Sequence, residues 1–246
     1  HIAMSYTALS VLKIVGDDFS RLNRKSIINA LRSLQCDNGS FMPVATESEN
    51  DMRFVFCACA ISEMLHDWSG FDPKKAVEFI VESQSYDGGF GLRRGTEGHG
   101  GSTYCAVAAL SLLGAIDSVR DRTGLIRWCI SRQGDGFSGR PNKSSDSCYS
   151  FWIGATLKML DAYDLTCPER NREFNMSCQS SFGGFGKVPE ARPDLLHSYM
   201  GLCGLSLMGL DDLQKIDPVF GFGVRAAAHD PLEHLKTTRG SKSPSS

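Results

Sequence analysis

A short phrase returns four times along this chain: Leu34-Gln35 with Gly39-Ser40-Phe41, Ser83-Gln84 with Gly88-Gly89-Phe90, Arg132-Gln133 with Gly136-Phe137, and Cys178-Gln179 with Gly183-Gly184-Phe185. The glutamines step by 49, 49 and 46 residues, a period that fits one helical hairpin per unit. The segment before the phrase is amphipathic, as in Ser26-Ile27-Ile28-Asn29-Ala30-Leu31-Arg32-Ser33-Leu34, with apolar residues at i, i+3, i+4 and i+7. The segment after it is apolar on nearly every side, as in Cys105-Ala106-Val107-Ala108-Ala109-Leu110-Ser111-Leu112-Leu113. A helix apolar all round is covered on all sides, so the pattern predicts an inner layer of second helices within an outer layer of first helices. Strand patterns are almost absent, and the fold class expected is all-α, an α/α barrel or toroid of hairpin repeats.

The units fall near 20–66, 74–114, 122–162 and 170–210, with a partial unit at 1–16, so that 1–215 reads as one repeat domain. Because Tyr6-Thr7-Ala8-Leu9-Ser10-Val11-Leu12 matches an inner helix with no outer helix before it, the array reads as incomplete at its N-terminus. Residues 216–246 read as an irregular C-terminal tail, disordered from about residue 236 on its Lys/Ser/Gly composition. A formal net charge of −2 gives no global attraction to nucleic acid, and the apolar runs are too short for a membrane span. Nine cysteines, an odd number spread through apolar helices, suit a reducing cytoplasm and small packing residues. Cys57 and Cys59 point to different sides of one helix and are read as packing, not as a metal site.

The candidate chemistry gathers where the inner helices begin. Aligned on their first aromatics, Tyr6, Phe54, Tyr104, Tyr149 and Tyr199, these helices are preceded by polar residues at positions where free backbone N–H groups favour an anion. Asp51, Ser144 and Asp194 read as ordinary caps, whereas Arg53, His99, Cys148 and His197 are not preferred caps. Asp146 and Cys148 in one unit and His197 in the next offer carboxylate, thiolate and imidazole on adjacent helices. Three such ligands with one open position describe a catalytic zinc site, although spacing alone leaves an accidental set open. Arg140 and Lys143, in Gly139-Arg140-Pro141-Asn142-Lys143, join His99 and the Tyr149 hydroxyl as groups able to hold a diphosphate; solvated surface cations are the competing reading. Phe54, Phe56, Tyr104, Phe151 and Trp152 suit a long apolar chain or, equally, core packing.

The stretches Asn50–Cys57, His99–Cys105, Gly139–Lys143, Asp146–Trp152 and Pro193–Tyr199, in this order and spacing, resemble the β subunits of protein prenyltransferases, and within that family the type I geranylgeranyl-transferring class. The likeness runs from residue 1 to about residue 215. It implies that Asp146, Cys148 and His197 bind one Zn²⁺, whose fourth position takes the cysteine thiol of a protein ending in a CaaX motif, X usually Leu. It implies that His99, Gly100, Gly101, Arg140, Lys143 and Tyr149 hold geranylgeranyl diphosphate by its diphosphate, with Lys143 and Tyr149 acting in catalysis beside the three ligands, and that Trp152 lines the isoprenoid pocket. Arg53 would lie near the peptide's C-terminal carboxylate, and His1, Ala3 and Phe54 match positions that contact the last CaaX residue. Lys187 falls where farnesyltransferases carry a magnesium-binding Asp; the resemblance implies that its ammonium replaces that ion at the diphosphate, so Mg²⁺ is not expected to be required. Leu196, where farnesyltransferases carry a bulkier Tyr, favours the geranylgeranyl class. The implied partners are a prenyltransferase α subunit, forming a heterodimer, and CaaX-terminated small GTPases and similar proteins, with no nucleic acid, no membrane span and a cytoplasmic location.

Three alternatives compete. A farnesyltransferase-type β subunit shares the motifs. A terpene cyclase shares the barrel and the Gln…Gly…Phe repeats, but the Asp-x-Asp-Asp string that protonates an alkene does not occur here. A catalytically inactive scaffold could keep the fold and bind the α subunit.

Overall fold

The computed structural model describes residues 1–46, 48–209 and 213–233. Its α-helices are α1 (Ile2–Ile14), α2 (Arg24–Leu34), α3 (Met52–Leu65), α4 (Pro73–Glu82), α5 (Gly100–Leu112), α6 (Arg122–Ile130), α7 (Tyr149–Met159), α8 (Pro168–Ser177), α9 (Leu195–Leu207) and α10 (Val224–Ala228). Helices α1, α3, α5, α7 and α9 pack side by side in chain order as a curved inner wall, and α2, α4, α6 and α8 each pack on the inner helix that follows. Burial follows the sequence pattern. In α3 nearly every side chain is buried, whereas α2 buries only Ile28, Leu31 and Leu34, one stripe of an otherwise polar helix.

The repeated phrase is the joint between units. In each unit the Gln pairs with the Phe across a single antiparallel bridge, and Phe41, Phe90, Phe137 and Phe185 are all buried. The Gln side chain then reaches the next unit: Gln84 Nε2 donates to the Asp121 carbonyl (3.0 Å) and its Oε1 accepts from the Asp121 N–H (3.1 Å). Gln35 clamps Asp72 in the same two-pronged way, and Gln133 clamps Cys167. A primary amide, donor and acceptor on one rigid plane, satisfies both backbone groups of the residue capping the next outer helix. Gly88 is required for a different reason. It sits at φ +100°, and a Cβ there would lie 2.7 Å from the Gly124 carbonyl oxygen of that neighbouring helix.

A second joint links the inner helices. The N–H groups of Ile2, Met52, Gly100 and Ser147 donate to the carbonyls of Pro43, Leu92, Gly139 and Lys187, each two residues past the bridging Phe of the next unit. This makes His1, Asp51, His99 and Asp146 equivalent positions, and it corrects the alignment on first aromatics. The true aromatic series is Tyr6, Phe56, Tyr104, Phe151 and Tyr199, whose rings follow one another at centroid distances of 5.3, 5.5, 5.1 and 6.4 Å. Phe54 and Tyr149 lie two residues earlier, so Tyr149 is the counterpart of His197 rather than of Tyr199. Ser144 likewise is no cap: Cys148 occupies the cap position of α7.

Residues 216–233 also differ from the tail the composition predicts. Phe220, Phe222 and Leu232 are buried in the main core, and α10 packs on α1. The buried Lys13 ammonium donates to the His229 carbonyl. Beyond the last repeat no periodic pattern marks these three apolar residues, which only the three-dimensional array can bury. Residues 236–246, where disorder is expected, lie outside the described residues.

Candidate metal centre

Asp146, Cys148 and His197 converge, their ligand atoms lying within 4.8 Å of one another. They are the sole such group of His, Cys, Asp and Glu among the described residues. Asp146 and Cys148 come from the turn that opens α7, and His197 from the first turn of α9, the helix packed against it. Two of the three are held by a further contact. The Cys148 N–H donates to Asp146 Oδ1 (3.0 Å), fixing that carboxylate. Asp194 caps α9, accepting the His197 N–H on Oδ1 (2.9 Å), and takes the ring Nδ1–H on Oδ2 (2.6 Å). The imidazole Nε2 is therefore without its hydrogen in the neutral ring and faces Asp146 Oδ1 at 3.3 Å. The Nε2 lone pair and the Asp146 carboxylate thus converge on a point where a cation can sit. Burial, then the Asp146 charge, push the Cys148 thiol well above its ordinary range, while Lys187 acts in the opposite sense. Carboxylate, thiol and imidazole within this radius, with a carboxylate behind the histidine, are a donor set that fits zinc.

One turn on from Cys148, Trp152 borders a cavity of about 500 Å³ whose lining also includes His99, Arg140 and Glu97. His99 caps α5: its Nδ1 accepts from the Gly101 N–H (3.1 Å). Nε2 therefore carries the hydrogen and donates to the Tyr149 oxygen at 3.1 Å, leaving the phenolic O–H of Tyr149 available to a ligand. Burial and then the Arg140 charge lower the His99 pKa and favour this neutral ring. Burial, with Cys148 and Asp146, raises the Tyr149 phenol to about 12, so it remains a donor at neutral pH. The Tyr149 ring lies between two glycines, since a Cβ on Gly100 would approach it to 2.8 Å and one on Gly139 closer still.

The cations are placed less firmly. Arg140 pairs with Glu97 (3.1 Å), both 45% exposed. Lys143 is exposed and makes no side-chain hydrogen bond or ion pair among the described residues. Lys187, 62% exposed, lies 3.7 Å from Asp146 Oδ2, on the metal side of the mouth. Arg53 borders this cavity, with its guanidinium bound to Asp51 and Glu49. His1 meets the Phe54 ring edge-on at 6.0 Å, and the Arg53 guanidinium lies over the same ring, 5.1 Å from its centroid. Ala3 and Trp152 line a second, apolar cavity of about 480 Å³ inside the inner wall; Trp152 and Arg53 border both. Two residues with clear roles went unread in the sequence: Asp194, taken only as a cap, and Gly139, whose missing side chain seats Tyr149.

Comparison with known proteins bears on the fold and the family. Residues 1–222 match the model of the prenyltransferase alpha-alpha toroid domain. The chain is 46% identical over 239 residues to the geranylgeranyl transferase type-1 subunit beta of Arabidopsis thaliana, covering 92% of this chain and 64% of that protein. It is 42% identical over 234 residues to the Dictyostelium discoideum protein of the same description, covering 94% of this chain and 66% of the relative. The chain thus spans just under two thirds of the length of these relatives. Its fold matches Candida albicans protein geranylgeranyltransferase-I complexed with GGPP at a TM-score of 0.87 and 27% identity, over 94% of this chain and 74% of that one.

Proposed function

The chain belongs to the prenyltransferase alpha-alpha toroid family, and from that membership we propose that it is the catalytic β subunit of a zinc-dependent protein geranylgeranyltransferase of type I. The reaction joins the geranylgeranyl group of geranylgeranyl diphosphate to the cysteine of a C-terminal CaaX motif, X usually Leu, on small GTPases and similar proteins. One observation supports it most: the Asp146–Cys148–His197 cluster converges where α7 opens, and one turn on from Cys148 Trp152 borders both the cavity with His99 and Arg140 and the apolar cavity, while Tyr149 is hydrogen-bonded to His99. Zinc in such a site makes a coordinated thiol a thiolate at neutral pH. The chain's own residues supply the rest. Asp194 keeps His197 oriented, Tyr149 and Arg140 donate to the diphosphate, and the aromatic belt takes the isoprenoid and excludes water from the reacting carbon. A C–S bond then forms at C1 as the C–O bond breaks, the thiol proton passes to solvent, and diphosphate leaves with charge stabilised by those donors.

We further propose an α subunit as obligate partner, a cytoplasmic location and turnover without Mg²⁺. Among the described residues no helix is long and apolar enough to cross a membrane. For metal use, the Lys187 ammonium stands close enough to the site to offset phosphate charge. Lys187→Asp should then make turnover depend on Mg²⁺, and an unchanged metal dependence counts against that role. The test of the whole reading is thioether formation by the chain with an α subunit, geranylgeranyl diphosphate and a peptide ending in CaaL. No product overturns it; a strong preference for farnesyl diphosphate instead selects the farnesyltransferase reading, which the 33% identity to the Schizosaccharomyces pombe protein farnesyltransferase subunit beta keeps in view.

A further inference from the structure

The segment Asp217–Gly223, beyond the last repeat, forms a closed loop held inside the inner wall. Asp217 ties it to itself: its N–H donates to the Phe222 carbonyl (2.8 Å), its carbonyl accepts from Gly221, and its carboxylate accepts from the Val219 and Phe220 N–H groups. Two phenols of the aromatic belt then pin the loop from opposite sides, Tyr104 donating to the Val219 carbonyl (2.6 Å) and Tyr199 to the Gly221 carbonyl (2.5 Å). Gly221, at φ +75°, leaves no room for a side chain, since a Cβ would lie 2.7 Å from the Tyr199 hydroxyl and 2.9 Å from the Phe151 ring. The rings of Phe220 and Phe222 stack at 5.1 Å and both line the apolar cavity. Gly223, next along, lines a separate cavity with Lys13, Lys215 and Arg225, so the loop divides an apolar space from a basic one.

We infer that this pinned loop is the end wall of the apolar cavity, and that Phe220 and Phe222 set the longest apolar chain it accepts. The inference rests on the reading of that cavity as the prenyl-chain site. A wall fixed by two phenol hydrogen bonds, one from the buried Tyr104, and by its own internal hydrogen bonds does not retreat from an overlong ligand; the added carbons meet either the stacked rings or the charged space behind them.

The test is the affinity of the chain, assembled with an α subunit, for farnesyl, geranylgeranyl and the next longer isoprenyl diphosphate, read by quenching of Trp152 and the other tryptophans. The expected result is a drop of at least about tenfold from geranylgeranyl to the longer chain, recovered by about tenfold in Phe222→Ala and less in Phe222→Leu, with farnesyl diphosphate affinity within about twofold of the parent. Tyr104→Phe with Tyr199→Phe, which frees the loop while keeping both rings, should blunt the same discrimination. If Phe222→Ala does not fold, Phe222→Leu and the double tyrosine variant still decide the matter. Variants that bind all three ligands in the parent's order overturn the end wall and leave the prenyl site standing. A parent chain that binds none of them overturns both.

Discussion

The Asp146–Cys148–His197 side of the mouth and the His99–Arg140–Lys143 side differ in what holds their functional atoms. On the first, short side chains spring from helix starts and two of the three have a second contact: Cys148 N–H on Asp146, Asp194 on His197. On the second, only His99 and Tyr149 are fixed in this way, while Arg140 shares a half-exposed ion pair and Lys143 stands in solvent. Exposed pairs contribute only about 0–1 kcal/mol, so Arg140 can leave Glu97 for a phosphate at little cost. The contrast teaches a division of labour. The metal side is built before any ligand arrives, whereas the anion side keeps two donors ready and lets the ligand order the rest.

The largest effect that could break this contrast is on metal content. Cys148→Ala should abolish stoichiometric zinc with unchanged helical circular dichroism, and Asp194→Asn should weaken zinc binding by about 10- to 100-fold through the loss of ring orientation. Full zinc in the first variant would mean that the ligands are misassigned.

A middling effect separates the two sides. Tyr149→Phe removes one donor and should lower the affinity for a non-hydrolysable geranylgeranyl diphosphate analogue by about tenfold, the value of a hydrogen bond to a charged group, while zinc stays at its parental level. Calorimetry on the zinc-loaded chain checks both, and a coupled loss of zinc would merge the two regions into one.

The smallest effect is a pH dependence. Burial and Arg140 hold the His99 pKa below its ordinary value, so between that lowered value and about 6.5 the unfolded chain binds more protons than the folded one. Stability should therefore fall as pH drops below about 6.5. His99→Asn keeps an acceptor for the Gly101 N–H and should flatten that slope in thermal unfolding; an equally steep slope would remove His99 as its source.

How much of this was legible depends on what the repeat controls. Inner and outer layers, and the meeting of Asp146, Cys148 and His197, follow from a hairpin period that puts equivalent residues on neighbouring helices. The register slips in two units because Phe54 and Tyr149 are aromatics two residues ahead of Phe56 and Phe151, their units' true members of the belt. Counting from the bridging Phe would have avoided this, since His99, Asp146 and Asp194 each accept their place nine residues after Phe90, Phe137 and Phe185, with the backbone N–H on that Phe's carbonyl. The second role of Asp194 was hidden because a helix cap explains the residue fully until the ring of His197 is seen turned toward it. Phe220 and Phe222 are unreadable for a different reason: they lie outside any repeat, and the phenols that pin their loop, Tyr104 and Tyr199, come from two different inner helices.

The central claim, a zinc site assembled from this chain's own three ligands, is tested most directly by X-ray absorption at the zinc edge of the purified chain. The account predicts one sulfur scatterer at about 2.3 Å with nitrogen and oxygen at about 2.0–2.1 Å, and loss of the sulfur shell in Cys148→Ser. A bound zinc with no sulfur neighbour, or a sulfur shell that survives that substitution, would contradict it.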